Sequence, residues 1–167
     1  KDNVITLPPT YGMYKVLANL NDIEDRKVIL NADLQPATNK ILEQVDVNSK
    51  LLFLCSPNNP TGNSFSEDIV LELINEFRGL VVIDEAYIDF SEKQSWLEKL
   101  EEYPNLVITQ TLSKAYGLAG IRLGICYASA EIITVLNKIK PPYNVNELTQ
   151  ERAESRLKNR EEVAREV

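Results

Sequence analysis

Three polar residues stand out because of what surrounds them. Asp84 closes the apolar run LVVID, Asn59 lies in SPNNPTG, and Lys114 lies in TLSKAYGLAGIRLG. An ionised carboxylate at the end of an apolar run is costly unless it meets a partner, although a single Asp there reads most simply as a solvated strand end or an ion pair. A single lysine in a loop is likewise most simply exposed. Together the residues say more. A lysine amine that can act as nucleophile, an acid, the hydroxyls of Thr111 and Ser113 and the guanidinium of Arg122 are the groups that would hold a phosphorylated aldehyde. The glycines among them would let backbone approach such a ligand closely.

These residues need a scaffold that brings them together, and the pattern of the chain supplies one. Apolar runs predict strands at Asn3–Leu7, Lys27–Leu30, Lys50–Leu54, Leu80–Asp84 and Leu106–Gln110, with a sixth at Leu123–Ala128. Helix-period segments between them predict helices at Tyr11–Asn21, Pro36–Val45, Glu67–Phe77, Gln94–Glu102 and Ala130–Ile139. Alternation of this kind, with continuously apolar strands such as LLFL and LVVI, indicates an α/β fold. The expected form is a three-layer α/β/α arrangement around a mostly parallel sheet, with Leu123–Ala128 the candidate for an antiparallel strand. In the segment SFSEDIVLELI, a serine cap and first-turn carboxylates suit a helix start. Ligands of open α/β sheets sit outside the carboxyl ends of the strands, where the loops bearing Asn59, Asp84 and Lys114 would converge.

Composition narrows the field. The 167 residues carry 25 acidic and 18 basic side chains, a formal charge of −7, so a basic surface for nucleic acid or anionic membrane is not expected. There is no histidine, which removes imidazole bases and most zinc sites, and no metal centre is expected. Cys55 and Cys126 lie in strand-like runs and read as small hydrophobes. The sequence shows neither a signal-peptide pattern nor an apolar run of the ~20 residues that span a membrane, and a cytoplasmic location is expected. A nucleotide-binding Rossmann domain is disfavoured because no GxGxxG follows the first strand.

SPNNPTG, VVIDEAYIDF and SKAYGLAGIRLG, in this order and spacing, resemble the fold-type I aminotransferases, which depend on pyridoxal 5'-phosphate. PPTYGMY and KPPYNVN resemble the histidinol-phosphate branch of that family in particular, and the likeness runs from Lys1 to Val167. The resemblance implies that Lys114 forms the Schiff base and shuttles a proton, that Asp84 pairs with the pyridinium nitrogen, and that Asn59 and Tyr87 donate to the phenolic oxygen. It implies that Tyr11 stacks on the ring, with Tyr14 as a nearby competitor, and that Thr111, Ser113 and Arg122 take the phosphate. It also implies a cis Asn59–Pro60 bond, a homodimer, and a small amino-acid or phosphorylated-amine substrate.

By the same resemblance, residues 1–145 form the cofactor-binding large domain, incomplete at its N-terminus, and residues 146–167 form a helix leading to a small domain. An upstream phosphate-binding turn, a neighbouring subunit's tyrosine and a small-domain arginine belong to the family pattern, and the sequence shows none of them. The chain alone is therefore expected to have little activity, with a tail beyond Asn146 that is mobile or packed on another molecule. Other fold-type I enzymes (aromatic or aspartate aminotransferases, threonine-phosphate decarboxylase) are the nearest alternatives. A catalytically silent α/β binding module is the alternative outside enzymes, and the joint presence of Lys114, Asp84, Tyr87, Asn59 and Arg122 argues against it.

Overall fold

The computed structural model describes residues 1–167. Six strands form one sheet: β1 Asn3–Thr6, β2 Glu24–Lys27, β3 Ser49–Cys55, β4 Leu80–Asp84, β5 Leu106–Thr111 and β6 Gly124–Ala128, in the order β2-β1-β3-β4-β5-β6. The first five run parallel and β6 pairs antiparallel with β5, as the sequence suggested for that segment. Six α-helices accompany them: α1 Met13–Leu20, α2 Thr38–Glu43, α3 Glu67–Glu76, α4 Ala130–Ile139, α5 Glu147–Lys158 and α6 Arg160–Glu166.

Strand alternation sorts the sheet into two faces. One carries Ile5, Leu52, Leu54, Val81, Ile83, Leu106 and Ile108, all fully buried under Ile41 of α2 and Val70, Leu73 and Ile74 of α3. Each such side chain contributes about 1.5–3 kcal/mol through removal from water, so this face is the main core. The chain turns from α3 into β4 at Gly79, where a Cβ would collide with the Lys50 carbonyl. The opposite face is covered near β3 by α1, whose Tyr14 ring stacks on Phe53 at 4.6 Å between centroids. Helices on both faces make the three layers expected.

Several boundaries depart from the sequence reading. The second strand is Glu24–Lys27 rather than Lys27–Leu30, because an edge strand can carry charged side chains and still pair through its backbone. Val28 and Leu30 are buried just beyond it, and their N–H groups donate to the Thr6 and Pro8 carbonyls. Gln94–Glu102 yields only a 3-10 turn, Trp96–Lys99. There the buried carboxylate of Glu85 captures the Trp96 N–H at 2.7 Å and the Ser95 hydroxyl at 2.6 Å, holding the entry in a non-helical conformation.

Helix α1 begins at Met13, two residues later than expected, and α2 is shorter than Pro36–Val45. At α3, Glu67 and Asp68 occupy the first turn as expected, but the Ser66 hydroxyl makes no capping bond. The tail is neither continuous nor detached. It breaks into α5 and α6 at Asn159, and Thr149, Ala153 and Val163 are buried within the chain's own packing.

Candidate active site

The carboxyl ends of β3, β4 and β5 open into a cleft of about 420 Å³. All eight residues singled out from the sequence line it: Tyr11, Asn59, Asp84, Tyr87, Thr111, Ser113, Lys114 and Arg122. Cys55, Ala86, Thr109, Gln110 and Ala119 complete the wall. Parallel strands ending side by side bring these residues together, because each is followed by a loop on the same edge of the sheet. Tyr11 comes from the segment after β1, and the rest come from the ends of β3, β4 and β5 and the segments after them.

Asp84 is the last residue of β4 and is half-buried. One carboxylate oxygen accepts from the Tyr14 hydroxyl at 2.6 Å and the other from the Ala86 N–H at 3.1 Å. Tyr14 is only 6% exposed. Burial first, and then the adjacent Asp84 charge, push its phenol far above the ordinary tyrosine range, so it stays a neutral donor. The Cys55 thiol is raised for the same reasons in the same order and stays protonated. Asp84 is thus fixed by hydrogen-bond donors alone, with no lysine or arginine paired to it in the salt bridges of the chain.

The Lys114 ammonium sits over the Tyr87 ring, 5.2 Å from its centroid, a cation–π distance. Its loop begins where the Thr111 hydroxyl accepts from the Ser113 N–H at 3.1 Å, and it turns at Gly117, whose φ of +67° favours glycine. Arg122 adopts the left-handed conformation with φ +56°, and its Nη1 donates to the Ala119 carbonyl at 2.8 Å. The exposed guanidinium keeps further donors for an anion.

On the other wall, Asn58 is buried and spends its amide on the neighbouring loops: it accepts from the Thr10 hydroxyl and donates to the Pro9 carbonyl and the Thr61 hydroxyl. Its neighbour Asn59 is left to face the cleft. The Asn59–Pro60 bond is cis, as expected, and so are Pro8–Pro9 and Ser56–Pro57. Of the two N-terminal tyrosines, Tyr11 is 44% exposed at the cleft while Tyr14 lies beneath it, the rings meeting edge to face at 5.5 Å.

Sequence reasoning missed two residues here. Tyr14 was noticed only as a competitor for ring stacking, whereas the structure makes it the partner of Asp84. Its signal was its place in the first turn of α1, four residues before Ala18, the pair that forms the buried stripe of that helix. Glu85 was passed over inside VVIDEAY. Strand alternation sends it to the face opposite Asp84, where it is buried and also accepts from Gln110 Nε2 at 2.8 Å.

The family model for aminotransferase class I and II matches residues 1–167. A histidinol-phosphate aminotransferase of Flavobacterium johnsoniae is 70% identical over 167 residues, covering all of this chain and 48% of the relative. Among solved structures, the histidinol-phosphate aminotransferase of Clostridium acetobutylicum superposes with a TM-score of 0.90 at 20% identity, over 99% of this chain and 51% of that one. The enzyme of that name from Sinorhizobium meliloti, in complex with pyridoxal-5'-phosphate, gives 0.88 at 21% identity, over 99% and 47%. The chain spans about half the length of the curated relatives it matches. The match over every residue establishes that this chain belongs to the aminotransferase class I and II family.

Proposed function

We propose that the cleft binds pyridoxal 5'-phosphate and that this chain forms the cofactor-holding part of an enzyme that transaminates histidinol phosphate. The observation that carries the reading is the meeting of an exposed lysine, a hydrogen-bonded carboxylate and a hydroxyl–guanidinium set in one cleft at the carboxyl ends of β3, β4 and β5. The donor set fits the cofactor: an anionic partner for a ring N–H, neutral donors for a phenolic oxygen, and Thr111, Ser113 and Arg122 for a phosphate dianion. The likeness to histidinol-phosphate aminotransferases at 70% identity supports the substrate.

When bound, pyridoxal 5'-phosphate supplies an aldehyde carbon for an amine and a ring that accepts an electron pair. Lys114 Nζ would be the amine that takes the aldehyde, and when free it would carry a proton from the substrate α-carbon as general base. The Asp84 carboxylate would keep the ring nitrogen of the cofactor protonated, and Tyr14 holds that carboxylate in place. Asn59 and Tyr87 would donate to the phenolic oxygen, and Tyr11 would cover the ring. Arg122, Thr111 and Ser113 anchor the phosphate, so that the reacting carbon meets Lys114 without searching. We place the parent enzyme in histidine biosynthesis, as a cytoplasmic homodimer acting with glutamate and 2-oxoglutarate.

The test is a substrate comparison with the intact enzyme. Histidinol phosphate should be used with a kcat/KM at least about a hundredfold above those of aspartate and the aromatic amino acids. Equal or inverted preference, or decarboxylation of threonine phosphate in place of transamination, would overturn the assignment.

A further inference from the structure

The two cationic groups of the cleft, Lys114 and Arg122, ride on one loop, residues 112–123 between β5 and β6. The loop contains Gly117 and Gly120, and its own bonds are short-range ones near its ends and turn: Leu112 N–H to the Leu123 carbonyl, Gly117 N–H to the Lys114 carbonyl, Leu118 N–H to the Leu112 carbonyl, Ile121 N–H to the Leu118 carbonyl, and Arg122 Nη1 to the Ala119 carbonyl. Thr111 at the end of β5 ties the two ends, its hydroxyl accepting from the Ser113 N–H and donating to the Leu123 carbonyl, and the middle of the loop is held from α5 by two bonds. The Thr149 hydroxyl donates to the Ile121 carbonyl at 3.3 Å, directly before Arg122. Arg156 Nε donates to the Tyr116 carbonyl at 3.1 Å, two residues beyond Lys114.

Between these two bonds, Ala153 is buried against Leu112 and Leu118. Thr149, Ala153 and Arg156 share one helix face by their spacing of four and three. The Arg156 side chain is 13% exposed, and its remaining nitrogens pair with Glu162, at 3.0 Å, and Glu166 of α6. A single guanidinium therefore joins the lysine loop to α6.

We propose that α5 is a positioning strap for the cofactor loop. Thr149 and Arg156 fix the Ile121 and Tyr116 carbonyls, and Arg156 transmits the position of α6 to Lys114 and Arg122. The proposal rests on the functional reading above. Neither residue lines the cleft, so both act through the loop. The carboxylates of Glu162 and Glu166 hold the guanidinium at the angle that aims Nε at Tyr116, because its fork of donors is rigid and planar. Removing them therefore loosens the loop without touching it.

The experiment uses the intact enzyme, titrated with pyridoxal 5'-phosphate. Arg156→Gln should raise the cofactor dissociation constant about tenfold, the effect of losing one charge-assisted bond. It should also displace the pH midpoint of the visible absorbance of the lysine-bound cofactor and speed hydrogen exchange of amides 112–122. Arg156→Lys, which keeps the charge but loses the fork, should not rescue these readouts. The double change Glu162→Gln and Glu166→Gln should move all three in the same direction by less. Should Arg156→Gln fail to fold, the near-isosteric Thr149→Val carries the test, with an expected rise of about threefold. Variants that melt earlier yet keep wild-type dissociation constant, pH midpoint and loop exchange well below melting would overturn the strap. A wild-type enzyme that takes up no cofactor would instead overturn the proposed function, and the strap with it.

Discussion

Replacing Tyr14 by Phe removes one hydroxyl while leaving the ring stacked on Phe53, so it isolates the bond to Asp84. At about pH 8 the variant should be less stable by ~1.5–3 kcal/mol, the range for a hydrogen bond to a charged group whose partner stays half-buried. The pH dependence is the sharper part. The folded-state pKa of Tyr14 is raised above that of the unfolded chain, so the stability it confers is fully present below about pH 10 and is lost as the pH rises beyond it. At about pH 11 the unfolded chain has released most of one proton that the folded chain retains, a loss of ~1.4 kcal/mol. The Phe variant has no phenol to titrate at this position, and carboxylates are ionised throughout the range. Every other titratable group is common to the two proteins. The stability gap between the two proteins should therefore narrow by ~1.4 kcal/mol between about pH 8 and about pH 11. In urea, with a slope of about 2 kcal/mol per molar, that is a convergence of the midpoints by ~0.7 M. A gap that stays constant or widens would refute the buried, carboxylate-facing phenol.

Asp84→Asn keeps the size of the side chain but not its charge. In the intact enzyme it should slow the half-reaction by at least about a hundredfold while some cofactor binding remains, measured by single-turnover absorbance. Asp46 is held down at about 2 by the Asn48 N–H and the Arg26 guanidinium. Its contribution is present above the free carboxylate value and lost as the pH falls toward about 2, so Asp46→Asn should raise the pH of acid unfolding, followed by circular dichroism. Ile83→Ala in the fully buried face of β4 should cost about 2–5 kcal/mol in urea unfolding, a loss unrelated to chemistry at Asp84 next to it.

The sequence made the sheet legible wherever a strand is buried on both faces. LLFL and LVVI became β3 and β4, and the antiparallel strand fell within Leu123–Ala128. It failed at the edge, where Glu24–Lys27 pairs through its backbone with side chains that a hydropathy reading assigns to a loop. It failed also at Gln94–Glu102, whose helical spacing was overridden by Glu85, a buried carboxylate outside the segment. The eight cleft residues were readable because motifs place chemistry-bearing types at strand ends. Tyr14 was not, since its role depends on how α1 lies across β3 and β4. The tail looked too sparse in apolar residues to pack, but Thr149 and Ala153 are small, and close approach to the loop supplies what large side chains would have.

The proposed function stands or falls with Lys114 as the residue that holds the cofactor, and borohydride reduction of the intact enzyme loaded with pyridoxal 5'-phosphate, followed by peptide mapping, identifies that residue. A single modified peptide containing Lys114 is expected, with no modification in Lys114→Ala, because Lys114 is the one lysine lining the cleft with Asp84, Thr111, Ser113 and Arg122. Stoichiometric label on any other lysine, or undiminished label in Lys114→Ala, would contradict that assignment.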